Sequence, residues 1–166
     1  MTKWYKDNSD NFDKFGYLYT WYTAVDVPED DDTAVPTTYT DNCGNPYVQG
    51  ICPPNWGVGS QADYDLLNAT AGSTSLLKDP STEYWQPGYE GALDGTGFNA
   101  RGGGWYNSTV GRYEDLMINY HFWNSDSTPG STISSSSIEY WCDDIVHSQV
   151  RKTDKMSVRC VRKVND

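Results

Sequence analysis

QGICPPNWGVGSQADYDLLNATAG, residues 49–72, is the stretch on which the reading of this chain turns. Its second half is a helix with a written start and stop. Ser60 is a good N-cap, because its hydroxyl can accept a backbone N–H that the first turn leaves without a partner. Asp63 falls at the third helical position, where a carboxylate favours the positive end of the helix dipole. Tyr64, Leu66 and Leu67 are predicted to form the apolar face, and Gly72 ends the helix. Cys52 stands just ahead of this helix, beside Pro53 and Pro54. A second short apolar stretch, Ser75, Leu76, Leu77 and Lys78, stops before Pro80.

Upstream, FGYLYTWYTA at residues 15–24 reads as a strand or a short buried helix. Alternation of Tyr17, Tyr19 and Trp21 with Leu18, Thr20 and Tyr22 favours the strand. Residues 27–50, with Pro28, Pro36 and Pro46, read as loop. Glu29, Asp30, Asp31 and Asp32 lie within it. Consecutive carboxylates repel, so a solvated loop is preferred there over a structural calcium site. Downstream, seven glycines between Tyr84 and Gly104 exclude regular helix and point to an irregular loop entering a strand. Gly102, Gly103 and Gly104 precede Trp105 without the Lys and helix that a phosphate loop needs. Tyr120, His121, Phe122 and Trp123 form one aromatic run, and Ile138, Glu139, Tyr140 and Trp141 another. The Ser- and Thr-rich residues 124–137 between them read as a surface loop. Residues 156–162 read as a half-buried terminal strand, with Met156, Val158 and Cys160 on one face.

The chain has 166 residues, room for one domain over residues 1–166. Its net charge of −11 excludes nucleic acid and anionic lipid as main partners, since both need a basic face. An aromatic content of 14% excludes a disordered acidic chain. No apolar run is long enough for membrane insertion. No signal-peptide pattern follows Met1, so a native signal or anchor would lie outside this sequence, or the chain would reach a surface another way. Cys43, Cys52, Cys142 and Cys160 allow three full pairings, between which spacing does not choose. Without a CxxC, and with His121 and His147 away from paired-cysteine spacing, zinc is not expected. Sparse, separated cysteines fit an oxidising compartment better than cytosol.

Three segments in this order resemble one family: YLYTWY at 17–22, QGICPPNW at 49–56 with the Ser60-capped helix, and SVRCV at 157–161. Gly97, Phe98, Asn99 and Ala100, and then Phe122, Trp123, Asn124 and Ser125, also fit. The chain resembles the Fibrobacter succinogenes major paralogous domain, a family of bacterial surface and secreted modules, over about residues 15–163. The resemblance implies an α+β, C-type lectin-like fold, also similar to the formylglycine-generating-enzyme core. Two helices would flank small twisted antiparallel sheets with long loops. It implies that Cys52 pairs with Cys160, leaving Cys43 and Cys142 to pair with each other or stay free. It also places Tyr17, Tyr19, Trp21, Trp56 and Trp123 mainly in the core. The sequence departs from the family's Trp-His-Leu-Pro-Ser at Gly57, Val58 and Gly59, and from its Leu-Pro-Gly-Gly at Arg101 and Gly102.

No enzyme is expected. The cysteine pair of a formylglycine-generating enzyme is not matched, and no GxSxG presents a serine nucleophile. Calcium-dependent sugar binding is not supported either: Gln86, Pro87 and Gly88 end on a residue without a ligand oxygen, and Asp126 falls one place late after Trp123 and Asn124. No cofactor is expected. The reading that remains is a ligand-binding or adhesion module at a cell, virion or other extracellular surface, taking a protein or glycan. Its candidate contacts are Trp105, Tyr106, Arg112, Tyr113, Tyr120, His121, Tyr140, Asp144, His147, Gln149 and Arg151. Tyr, Trp and Arg give large contact area at low entropy cost. For Trp105, Trp123 and Trp141 the core is the competing assignment, and for His147 and Arg151 the solvated face of a strand. Some proteins with this fold are diversified by retroelements in bacteria and phages and vary this same C-terminal segment, and the mixed residues between Tyr106 and Lys152 would suit such a variable protein. The competing class is a structural or pilus-tip subunit without a discrete ligand.

Overall fold

The computed structural model describes residues 9–88 and 91–162. Helix α1 spans Ser9–Phe15, α2 Trp21–Ala24 and α3 Gln61–Ala71, with a 3-10 turn at Thr74–Leu76. The strands are β1 Thr38–Thr40, β2 Pro46–Val48, β3 Trp56–Val58, β4 Trp105–Asn107, β5 Arg112–Glu114, β6 Asn119–Trp123, β7 Thr132–Glu139, β8 Ile145–Arg151 and β9 Cys160–Arg162. They form three small sheets, ordered β1-β2-β3-β9, β4-β5 and β6-β7-β8, and every pairing between these strands is antiparallel. The class is therefore α+β.

α3 is built as its sequence predicts. The Ser60 hydroxyl accepts from Asp63 N–H at 3.2 Å, and Ser60 N–H donates to the Asp63 carboxylate at 2.8 Å, a reciprocal capping box. Gly72 closes the helix at φ 74°, a left-handed conformation that glycine adopts without a Cβ penalty. The predicted apolar face needs one correction. Tyr64 is buried and Leu67 and Ala71 pack beside it, but Leu66 is 67% exposed. At 3.6 residues per turn, positions 64, 67 and 71 share a side, and position 66 turns away from it.

Residues 15–24 resolve as the alternative that alternation disfavoured. Tyr19 makes a single bridge to Met156, Thr20 caps the next turn, and α2 follows. Trp21, Tyr22, Ala24 and Val25 are all buried, which a one-faced strand would not allow. The 27–50 segment is not all loop, because it contains the β1–β2 hairpin. Asp41 turns that hairpin by accepting the N–H groups of Cys43 (2.9 Å) and Asn45 (2.8 Å).

The largest departure is residues 132–139. The serine run read as a surface loop is β7, the central strand between β6 and β8, with Ser135, Ser136 and Ser137 buried. One face of this sheet sends Tyr120, Phe122, Ile138 and Ile145 into a core with Tyr64, Leu77, Trp85 and Phe98. The other sends Trp123 and Ile133 into a second core with Trp21, Tyr22, Val25 and Met156. Serine can occupy a strand buried on both faces only if its hydroxyl finds a partner. Ser136 Oγ has Asn124 Oδ1 at 2.6 Å, and Ser134 Oγ donates to Gln61 Oε1 at 2.8 Å.

The terminal segment is regular strand only at β9. Before it, Lys155 bridges to Tyr106, Met156 to Tyr19 and Ser157 to Phe122, so this segment ties three parts of the fold together in turn. β9 then pairs with β3, Val58 opposite Cys160. Cys52 and Cys160 form a disulfide with Cα atoms 5.7 Å apart, joining positions 108 residues apart. Cys43 and Cys142 are free thiols.

The core assignment of the aromatic residues divides. Trp21 and Trp123 are buried, whereas Tyr17 and Trp56 are exposed, and so is Trp141. Among the described residues no helix is long and apolar enough to cross a membrane. The carboxylates of the acidic run take separate partners: Glu29 the hydroxyls of Thr20 and Thr23, Asp31 that of Thr33 and Asp32 that of Tyr22.

Candidate functional site

The β4–β5 hairpin gathers the first candidates. Register places Tyr106 opposite Tyr113 and Asn107 opposite Arg112. The two tyrosine rings meet edge-on with centroids 5.0 Å apart. The Lys155 ammonium lies 5.4 Å from the Tyr106 centroid. Arg112 clasps Glu114 through Nε and a terminal nitrogen, both 2.7 Å from Oε1, and Asn107 Nδ2 reaches Oε2 at 2.9 Å. His121, on β6, lies against the Trp105 ring at 5.4 Å between centroids. The register thus puts Tyr106 and Tyr113 on one face of the hairpin and Trp105, Arg112 and Glu114 on the other, with His121 against Trp105.

The other candidates sit elsewhere. Tyr120 is adjacent to His121 but points to the opposite face of the sheet, where its ring is packed in the core. Tyr140 contacts Trp141 beyond the end of β7. Asp144 accepts from Asn68 of α3 at 3.0 Å, and Gln149 and Arg151 are exposed on β8. His147 joins the sheet to α3: Nδ1 lies 2.9 Å from Ser136 Oγ and Nε2 2.8 Å from Asp65 Oδ1. This places a Ser, a His and an Asp in line. The Ser136 side chain is fully buried and already engaged with Asn124, so no substrate reaches its oxygen. The arrangement is a hydrogen-bonded strut between β7, β8 and α3.

Residue-type reasoning missed Asp115. Its Oδ2 accepts the Trp105 indole N–H at 3.0 Å and lies 3.4 Å from His121 Nε2. His121 chiefly, then the Trp105 indole and Asn119, hold the Asp115 carboxyl below its ordinary range, against a partial desolvation that raises it. Asp115 and Met117 both have φ 62°, left-handed backbone at two non-glycine positions. The turn they make rests on the glycine run, where a Cβ at Gly104 would collide with the Glu114 carbonyl oxygen. The sequence signal for this is the glycine run itself, which points to an irregular loop entering a strand. Between the turn and β5 opens a cleft of about 280 Å³, lined by Gln86, Tyr113, Glu114, Asp115, Leu116 and Ile118 among others.

A lowered native pKa means that Asp115 stabilises the fold above its unfolded-state pKa and that this contribution is lost as pH falls through the native value. Asp115→Asn is therefore expected to lower stability at neutral pH, where the contribution is fully present, and to flatten part of the acid limb, with variant and wild type converging at low pH. An acid limb of unchanged slope in urea titrations would contradict this.

The fold and site together define a small disulfide-bridged α+β domain with an aromatic hairpin beside an acidic cleft. The chain belongs to the Fibrobacter succinogenes major domain family, whose model matches residues 1–162. No curated protein and no solved structure matches it.

Proposed function

We propose that this protein is a non-catalytic ligand-binding module of an extracellular or cell-surface location, engaging a protein or glycan through the β4–β5 hairpin. The observation that carries this reading is the Tyr106–Tyr113 pair, two half-exposed rings on one face of the hairpin with the Lys155 ammonium beside Tyr106. Rigid aromatic side chains are enriched in binding hot spots. The β3–β9 pairing and the disulfide, which bring the end of the chain back to the start of α3, support a C-type lectin-like arrangement. The disulfide also supports an oxidising compartment.

The test is a glycan array and a pull-down with wild type and a Tyr106→Ala/Tyr113→Ala double variant. Partners are expected to be captured by wild type and lost from the variant, with the thermal midpoint little changed. Partners retained by both proteins would favour a structural subunit, for which this surface carries no ligand.

A further inference from the structure

A second place, none of whose lining residues belongs to the β4–β5 hairpin, is the groove between α3 and β9. We propose that this groove takes the C-terminal end of a peptide chain, laid along β9 as an added strand. The terminal carboxylate would rest on Arg159 and Arg162, and the apolar last side chain would enter the groove.

The groove has a volume of about 390 Å³, at the small end of ligand sites. One side is α3, which contributes Leu66, Leu67 and Thr70, and the other is the run of residues 159–162. Leu66 turns away from the core, and its exposed side chain forms an apolar wall here. β9 is an outermost strand of its sheet, paired among the described residues with β3 alone. An edge strand leaves a row of backbone N–H and C=O groups open, the template on which an extended peptide adds. An edge facing a helix across a groove thus offers backbone partners for a main chain and apolar walls for a side chain.

Charge selects the end of the chain. Acidic residues outnumber basic ones 23 to 12, yet two arginines line this one groove. Among the described residues neither forms an ion pair. Arg159 is half-buried with its Cζ 4.3 Å from the Phe98 ring centroid, and Arg162 is exposed. Burial pushes the hydroxyls of Tyr64 and Tyr120 up, and the Arg159 charge acts against it, which sets that guanidinium at the inner wall. Asp63 also lines the groove, but its Oδ2 takes the Ser60 N–H at 2.8 Å and the Ser60 hydroxyl at 2.9 Å, in the cap of α3. A guanidinium fork matches a carboxylate. In a chain terminus the carboxylate and the last side chain share one carbon, so a small groove admits both together. A free fatty acid would leave the edge of β9 unpaired, and an internal apolar segment would leave the arginines unpaired. A net charge of −11 repels a long acidic tract but not a single carboxylate.

The test follows the backbone amides of Leu66, Leu67 and Val161 in ¹H–¹⁵N spectra of the full chain. The probes are acetyl-Ala-Ala-Ala-Leu with a free carboxylate, the same peptide as its C-terminal amide, and 4-methylpentanoate, which carries the acid and the apolar branch without a peptide. Saturable shifts are expected with the peptide acid. The amide should bind at least about tenfold more weakly, the size of one charge-assisted hydrogen bond, and 4-methylpentanoate should also bind more weakly. Arg162→Gln should weaken the peptide acid by a similar factor, and Leu66→Ser should weaken it through the wall. Both positions are exposed, so the thermal midpoint should stay within a few degrees of wild type. No saturable shift, equal binding of acid and amide, or undiminished binding by both variants overturns the inference. Binding of 4-methylpentanoate as tight as that of the peptide overturns it too, because a free acid rather than a chain end would then be the ligand.

Discussion

Replacing Cys52 and Cys160 together by alanine is expected to lower stability by about 4 to 5 kcal/mol, the chain-entropy value for a closed loop of this size. The bridge spans 108 residues, so it removes more freedom from the unfolded chain than a short loop would. It also joins the residue just ahead of α3 to β9, the last strand of a four-stranded sheet. Without it, β9 is held to β3, among the described residues, by three residue pairs, Trp56 with Arg162, Gly57 with Val161 and Val58 with Cys160. The thermal midpoint should fall by roughly 10 to 20 °C for a domain of this length. Melting the wild type in reductant should reproduce the shift, and Cys43→Ser, at an exposed free thiol, should not. Peptide mapping under non-reducing conditions should recover Cys52 linked to Cys160. A shift of less than about 1 kcal/mol, or a Cys43–Cys142 link instead, would overturn the assignment.

Trp123→Ala is expected to cost about 3 to 5 kcal/mol, the range for removing a large aromatic from a packed core. Trp123 is fully buried in the second core with Trp21, Ile133 and Met156. Its indole N–H donates to the Tyr19 carbonyl at 2.6 Å, and its own backbone N–H to Ser157 at 3.1 Å. One residue thus connects β6 to the segment before α2 and to the segment before β9, and its loss leaves both a cavity and a missing bond. Trp141→Ala provides the contrast. That side chain is 67% exposed, and its removal should change stability by no more than about 0.5 kcal/mol. Urea unfolding of the two variants distinguishes these results, and similar losses from both would show that the second core does not carry the stability assigned to it.

The parts of the fold legible in the residues are those whose interactions are local. Ser60, Asp63 and Gly72 mark α3 because cap bonds span three or four residues and need nothing from elsewhere. Residues 15–24 were ambiguous because a single turn of helix and a short strand have too few positions for period 3.6 and period 2 to differ. Of the candidate contacts, a hairpin of three-residue strands pairs Tyr106 with Tyr113 on one face and sets Trp105 and Arg112 on the other, with His121 against Trp105. Tyr120 looked equivalent to His121 until the pleat sent it to the other face.

By itself, then, the sequence determined the helix with its caps, the acidic aromatic composition that excludes disorder, and the family through motifs kept in order. Only the tertiary structure decided that four consecutive serines, Ser134 to Ser137, run through the middle of a sheet. Their partners, Gln61, Asn124, His147 and Ser148, lie ten or more residues away along the chain. It alone joined Asp115 to Trp105, His121 and a cleft. The reason is the same in both cases. A polar residue has no periodicity that announces burial, and whether its hydrogen bonds go to water or to protein is settled only when distant segments are brought together.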